Sequence, residues 1–135
     1  MASDRLRRNS KEKTVILDSN AIMMLFEFSL ELDDELTLLL GKHHIVVPAS
    51  VKRELAFLSR HAKGKKKRNA AAALNLLEQW DVADDEKTDG DTAVVSLAQQ
   101  LNGVVVTNDR ELRIRLKNLE LPVIFLRGKQ RLCLE

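Results

Sequence analysis

Residues 104–119, VVVTNDRELRIRLKNL, run three consecutive valines into a segment with leucines at 112, 116 and 119. A β-branched run of this length reads as a buried strand, and the leucine spacing reads as one face of a helix. Asn108 and Asp109 stand at the junction, so the stretch is one βα unit. Working outward, three similar apolar runs follow the same pattern: TVILD at 14–18, IVVP at 45–48 and VIFL at 123–126. A last run at 132–134 is either an edge strand or a packed tail.

The intervening segments have helical spacing. Ile22, Leu25 and Phe26 mark a helix directly after the first strand, and Leu36, Leu39 and Leu40 a second that stops near Gly41. Ser50 is the expected cap of a third helix with Val51, Leu55 and Leu58 on its stripe. NAAAALNLLEQW at 69–80 is a strong helix former, and Val94, Leu97, Ala98 and Leu101 define a fifth helix. Strands alternating with helices predict an α/β protein, a three-layer α/β/α sandwich around a mostly parallel sheet.

A length of 135 residues suits one domain, placed at 14–135, behind a polar and basic segment at 1–13 expected to be flexible. With 44% hydrophobic and 31% charged residues but only 5 Gly and 2 Pro, disordered and collagen-like readings are excluded. Four Phe, one Trp and no Tyr argue for an aliphatic core and against recognition of nucleic acid through extended aromatic platforms. The single Cys133 excludes cysteine-based zinc sites and an internal disulfide. No apolar run is long enough to span a membrane, and a cytoplasmic location is expected. His43, His44 and His61 lack metal-ligand spacing and read as surface or strand-edge residues.

In open parallel sheets the reactive crevice lies beyond the carboxyl ends of the strands. Asp18 closes the first strand, Asp109 follows the strand at 104–107, Asp91 opens the helix before that strand, and Glu54 lies in the first turns of the helix after IVVP. Glu54 and Asp91 fall at the borders of apolar stripes, which predicts partial desolvation. Two carboxylates about 4 Å apart repel by about 4 kcal/mol at an effective dielectric of about 20. Four together require protons or a cation, and oxygen ligands suit Mg2+ or Mn2+. Such ions serve to activate water against a phosphodiester. Each acid also has a structural role open to it: Asp18 and Asp109 as caps, Asp91 in a capping box with Thr88, and Asn108 with Glu111 in a second.

Basic charge is segregated. Residues 52–68 carry eight basic groups against Glu54 alone, whereas 78–91 carry seven acidic groups against Lys87. Lys63, Lys65, Lys66, Lys67 and Arg68 read as a solvated loop that forms a flexible contact with a polyanion. Arg110, Arg113 and Lys117 share one helix face starting beside Asp109 and are the second candidate contact for a phosphate backbone.

TVILDSNAIM, VPASVKREL, DGDTAVVSLA, VVVTNDRELRIRL and PVIFLRGKQRL, in that order, resemble a PIN-domain nuclease over nearly all of residues 14–134. The resemblance implies a metal site formed by Asp18, Glu54, Asp91 and Asp109, with Asp89 competing with Asp91, and support from Asn20 and Thr107. It implies metal-dependent endonucleolytic hydrolysis of RNA. Within the family the ribosomal-RNA-processing branch is the first expectation and a VapC-type toxin of a toxin–antitoxin pair the alternative. The partners implied are RNA, a ribosomal precursor or an antitoxin, and a second copy of the chain as a homodimer. A catalytically silent RNA-binding module is the non-enzymatic rival. A receiver domain is disfavoured because Asp18 is followed by Ser19 and Asn20 rather than by a second acid.

Overall fold

The computed structural model describes residues 12–84, 90–128 and 131–135. In chain order these form β1 (Lys13–Leu17), α1 (Ser19–Glu27), α2 (Leu32–Leu40), β2 (His43–Pro48), α3 (Ala49–His61), α4 (Gly64–Leu76) with a short 3-10 turn (Leu77–Gln79), β3 (Asp81–Ala83), α5 (Gly90–Leu101), β4 (Val104–Val106), α6 (Arg110–Asn118), β5 (Val123–Arg127) and β6 (Arg131–Leu134). The sheet order is β3-β2-β1-β4-β5-β6. The first five strands are parallel and β6 pairs antiparallel with β5.

The strands place alternate residues on two faces, and each face has its own core. Val15, Leu17, Ile45, Val47, Val104, Val106 and Ile124 pack with Ile22 of α1, Leu36 of α2, Leu55 of α3 and Ala70 and Ala73 of α4. Ile16, Val46, Val105 and Val123 face the other way, onto Val94, Leu97 and Ala98 of α5 and Leu112 and Leu116 of α6. Two covered faces explain why the central strands read as unbroken apolar runs rather than alternating ones. The sandwich expected from sequence is therefore the observed architecture.

Three details differ from the sequence reading. Lys65–Arg68 do not form a loop: they are the opening of α4, continuous with the alanine-rich segment, because nothing after Gly64 breaks the helix. Gly64 itself, at φ +62°, supplies the sharp junction after α3. Ser50 is not a cap but lies inside α3, which starts directly after the extended Pro48 (φ −61°, ψ 144°). The sequence does not announce β3, because three residues beginning with an aspartate carry too little apolar signal, yet Val46, Val47 and Pro48 pair with it in parallel.

Of the N-terminal segment 1–13, Glu12 and Lys13 are described: Lys13 opens β1 and Glu12 Oε1 lies 2.8 Å from His44 Nδ1. The rest of that segment, Asp89 and Thr88 lie outside the described residues. Among the described residues no helix is long and apolar enough to cross a membrane.

Candidate active site

β1 is central in the sheet, with β2 on one side and β4 on the other, so the order in which strands are added, not their direction, reverses between β1 and β4. A crevice opens beyond the strand ends at such a switch point. Leu17 is in register with Val106, which brings Asp18 beside Thr107. The Thr107 hydroxyl donates to Asp18 Oδ2 at 2.6 Å, and Thr107 is fully buried.

Both strands end in a helix start, and each start is capped by an acid. Asp18 Oδ1 accepts from the Ala21 amide at 2.7 Å, and Asp109 Oδ1 accepts from the Leu112 amide at 3.0 Å. The structural roles foreseen for these two acids are thus real, but capping occupies one oxygen of each. The Asp109 amide in turn donates to Thr107 Oγ1 at 3.1 Å, so a single hydroxyl ties the two capping acids together.

Asn108 is not the helix cap that its position suggested. Its side chain bridges the backbone of Leu126 in β5, donating to the carbonyl at 3.1 Å and accepting from the amide at 2.6 Å. Its own amide donates to Asn20 Oδ1 at 3.4 Å. This clamp fixes the β4–α6 loop against β5 and α1. Nothing local in the sequence announces it, since the partner strand lies 18 residues away.

Asp18 is only 8% exposed, and burial is the main cause that pushes its carboxyl up from 3.8 to about 6. The hydrogen bonds from Thr107 and Ala21 oppose the rise, while the charges of Asp91 and Asp109 add to it. Asp91, in the first turn of α5, is also raised, first by desolvation and then by Asp109, with Arg115 opposing. The residue as a whole is exposed, so its desolvation is partial. Three acids separated by up to 91 positions therefore share one electrostatic field.

Glu54 stands apart from that trio. It is exposed rather than partly desolvated, because its position on α3 turns it off the Val51/Leu55 stripe toward an open cleft. The cleft, of about 480 Å3, is also walled by Ser19 and Asn20, the two residues following Asp18. Glu54 thus lies on the same rim of the sheet as Asp18, in a cleft shared with the α1 start.

The donor set is oxygen only, and to the rise that burial imposes on Asp18 and Asp91 neighbouring acids add a like-charge repulsion that a cation would relieve. Among the described residues, however, no three His, Cys, Asp or Glu side chains are already arranged to grip a metal ion. The residues fit a divalent cation in chemistry and charge, and ligation would require their side chains to close in.

The basic candidates divide into two groups. Arg113 and Lys117 are both engaged by the Glu135 carboxylate, at 2.9 and 3.0 Å, and Arg113 lies 4.1 Å over the Phe125 ring. That clasp pulls Glu135 below the usual carboxylate range. The helix face expected to meet RNA is in this respect an anchor for the terminal strand; Arg110 and Lys117 are exposed and Arg113 is half-buried. Lys63, Lys65, Lys66, Lys67 and Arg68 are all exposed, and Lys65 and Lys66 line the cleft with Glu54. Their charges crowd the first turn of α4, where the helix dipole disfavours cations and no side chain caps the free amides.

A model of a PIN-like domain matches residues 15–129. Ribonuclease VapC9 of Archaeoglobus fulgidus is 33% identical over 135 residues, covering 100% of this chain and 98% of its own. Ribonuclease VapC4 of Methanocaldococcus jannaschii is 31% identical over 120 residues, covering 86% and 92%. Among solved structures, the PIN domain endonuclease Utp24 superposes with a TM-score of 0.76 at 20% identity, covering 93% and 92% of the two chains. VapBC2 from Rickettsia felis, bound to a promoter DNA fragment, gives 0.64 at 20% identity, covering 84% and 99%.

Proposed function

The chain belongs to the PIN-like domain family, and we propose that within it this protein is a divalent-metal-dependent endoribonuclease. The observation that supports this most directly is the common field of Asp18, Asp91 and Asp109 at the switch point of the sheet. Asp18, Asp91 and Asp109 would hold Mg2+ or Mn2+, with Glu54 joining from the cleft side and Asp89 as the alternative to Asp91. When bound, the cation supplies a more acidic water and stabilises charge developing on the scissile phosphate. Thr107 holds the Asp18 carboxylate in place, and Asn108, through Leu126 and Asn20, holds the loop that carries Asp109.

The relation to two VapC ribonucleases, over 100% and 86% of this chain, favours a toxin ribonuclease with an antitoxin partner. The ribosomal-RNA-processing reading rests on the sequence resemblance alone, since the likeness to the endonuclease Utp24 at 20% identity is one of fold. A cytoplasmic location and a homodimer complete the proposal. The test is cleavage of structured RNA with Mg2+ or Mn2+, comparing the native chain with Asp18→Asn. Loss of cleavage in the variant and in chelator is the expected result; equal cleavage by both proteins would defeat it.

A further inference from the structure

The cleft between α1, α3 and α4 has a composition that metal binding does not require. Met23 of α1 and Leu58 of α3 give it apolar walls, Asn20 and Asn69 place carboxamides in it, and Lys65 and Lys66 stand on its α4 side. Its volume of about 480 Å3 falls in the range of small-molecule sites, roughly 300–1,000 Å3. Apolar surfaces suit the faces of a base, carboxamides suit the donor and acceptor pattern of its edge, and ammonium groups suit phosphate. Ser19 and Asn20, which directly follow Asp18, connect this cleft to the strand ends, and an anion lying at the uncapped, cation-crowded start of α4 would relieve it.

We infer that this cleft is a nucleotide subsite: it receives the unpaired nucleotide next to the scissile phosphate, with the base between Met23 and Leu58 and the neighbouring phosphate at Lys65 and Lys66. Asn69, half-buried in the cleft wall, is then a specificity-determining residue that reads the base edge. Phe57, 59% exposed, shares the α3 face of Glu54 and Leu58 and packs on His61 with ring centroids 4.4 Å apart. It extends the same track with one stacking surface for a further base. The inference rests on the ribonuclease reading and specifies its substrate as single-stranded RNA with a preferred base at one position beside the cut.

The test separates the two. The four nucleoside 5′-monophosphates and ribose 5-phosphate are titrated in chelator into the native chain, Asn69→Ala and Leu58→Trp, following the Met23 and leucine methyl resonances. One base preferred by about tenfold or more is expected, the scale of a good amide-to-base pair. That preference should flatten in Asn69→Ala, and Leu58→Trp should block binding. In cleavage of a randomised RNA, Asn69→Ala should lose the base preference at a single position flanking the cut. Equal affinity for ribose 5-phosphate and all four nucleotides, or unchanged profiles in variants with native circular dichroism, would overturn the subsite. Absence of Asp18-dependent cleavage would instead overturn the ribonuclease reading, because the titration needs no turnover.

Discussion

Asp18 concentrates the conflict between stability and chemistry. Its carboxyl is raised from 3.8 to about 6, chiefly by burial. A group raised in the folded state contributes stability that is complete below about pH 4 and is lost as pH rises through about 6. The shift of about two units corresponds to on the order of 3 kcal/mol. In chelator, Asp18→Asn should therefore melt higher than the native chain at pH 7.5, the advantage vanishing near pH 4, while cleavage is abolished; calorimetry across pH checks the first part. Thr107→Val removes the donor that lowers Asp18 and the acceptor of the Asp109 amide. It should destabilise by about 1–3 kcal/mol and move the acid limb of the cleavage profile to higher pH, measured by kcat/KM against pH. Asp18, Asp91 and Asp109 were legible in sequence because acids at strand ends and helix starts have defined places in a parallel sheet. The Asn108 clamp was not legible, since its partner is a backbone brought near only by folding. Glu54 was legible in position but not in exposure, for a helical wheel gives an angle and not the depth of the neighbouring cleft.

At the scale of elements, Gly103 shows how closely β4 enters the sheet. A Cβ there would meet Ile16 Cδ1 at 2.9 Å and the Thr14 carbonyl oxygen at 3.1 Å. Ile16 is fully buried and the carbonyl belongs to β1, so neither yields freely. Gly103→Ala should cost about 1–3 kcal/mol, seen as a lower urea midpoint with an unchanged slope. β6 is held differently, by Glu135 to Arg113 and Lys117 from α6. Glu135→Gln should free those two cations and raise affinity for RNA at low salt, read by fluorescence anisotropy, at small cost to stability because the pairs are partly exposed. Long elements declared themselves through periodicity, whereas β3 did not: three residues cannot establish a period. The basic segment at 63–68 misled for a related reason, since charge argues for solvent but not against a helix.

At the scale of the whole molecule, a net charge of +2 conceals a polarised surface, with basic residues at the α4 start and acids at the switch point. RNA binding through Lys63, Lys65, Lys66, Lys67, Arg68 and Arg110 should weaken with salt by about 0.7 log units per log unit for each single-strand phosphate neutralised. Lys65→Glu with Lys66→Glu should shallow that slope by about 1–2, and an affinity insensitive to salt would argue against this track. The division of the interior into two cores by alternate residues of the same strands has a separate use. Val15 and Ile16 are adjacent in the chain, yet each belongs to a different half of the interior. Isotope-labelled methyl groups at these two neighbours would act as paired gauges, one sensing the four-helix layer that carries the cleft and the other the two-helix layer behind the acids. Loosening of either layer on loading RNA or cation would then be heard on its own channel.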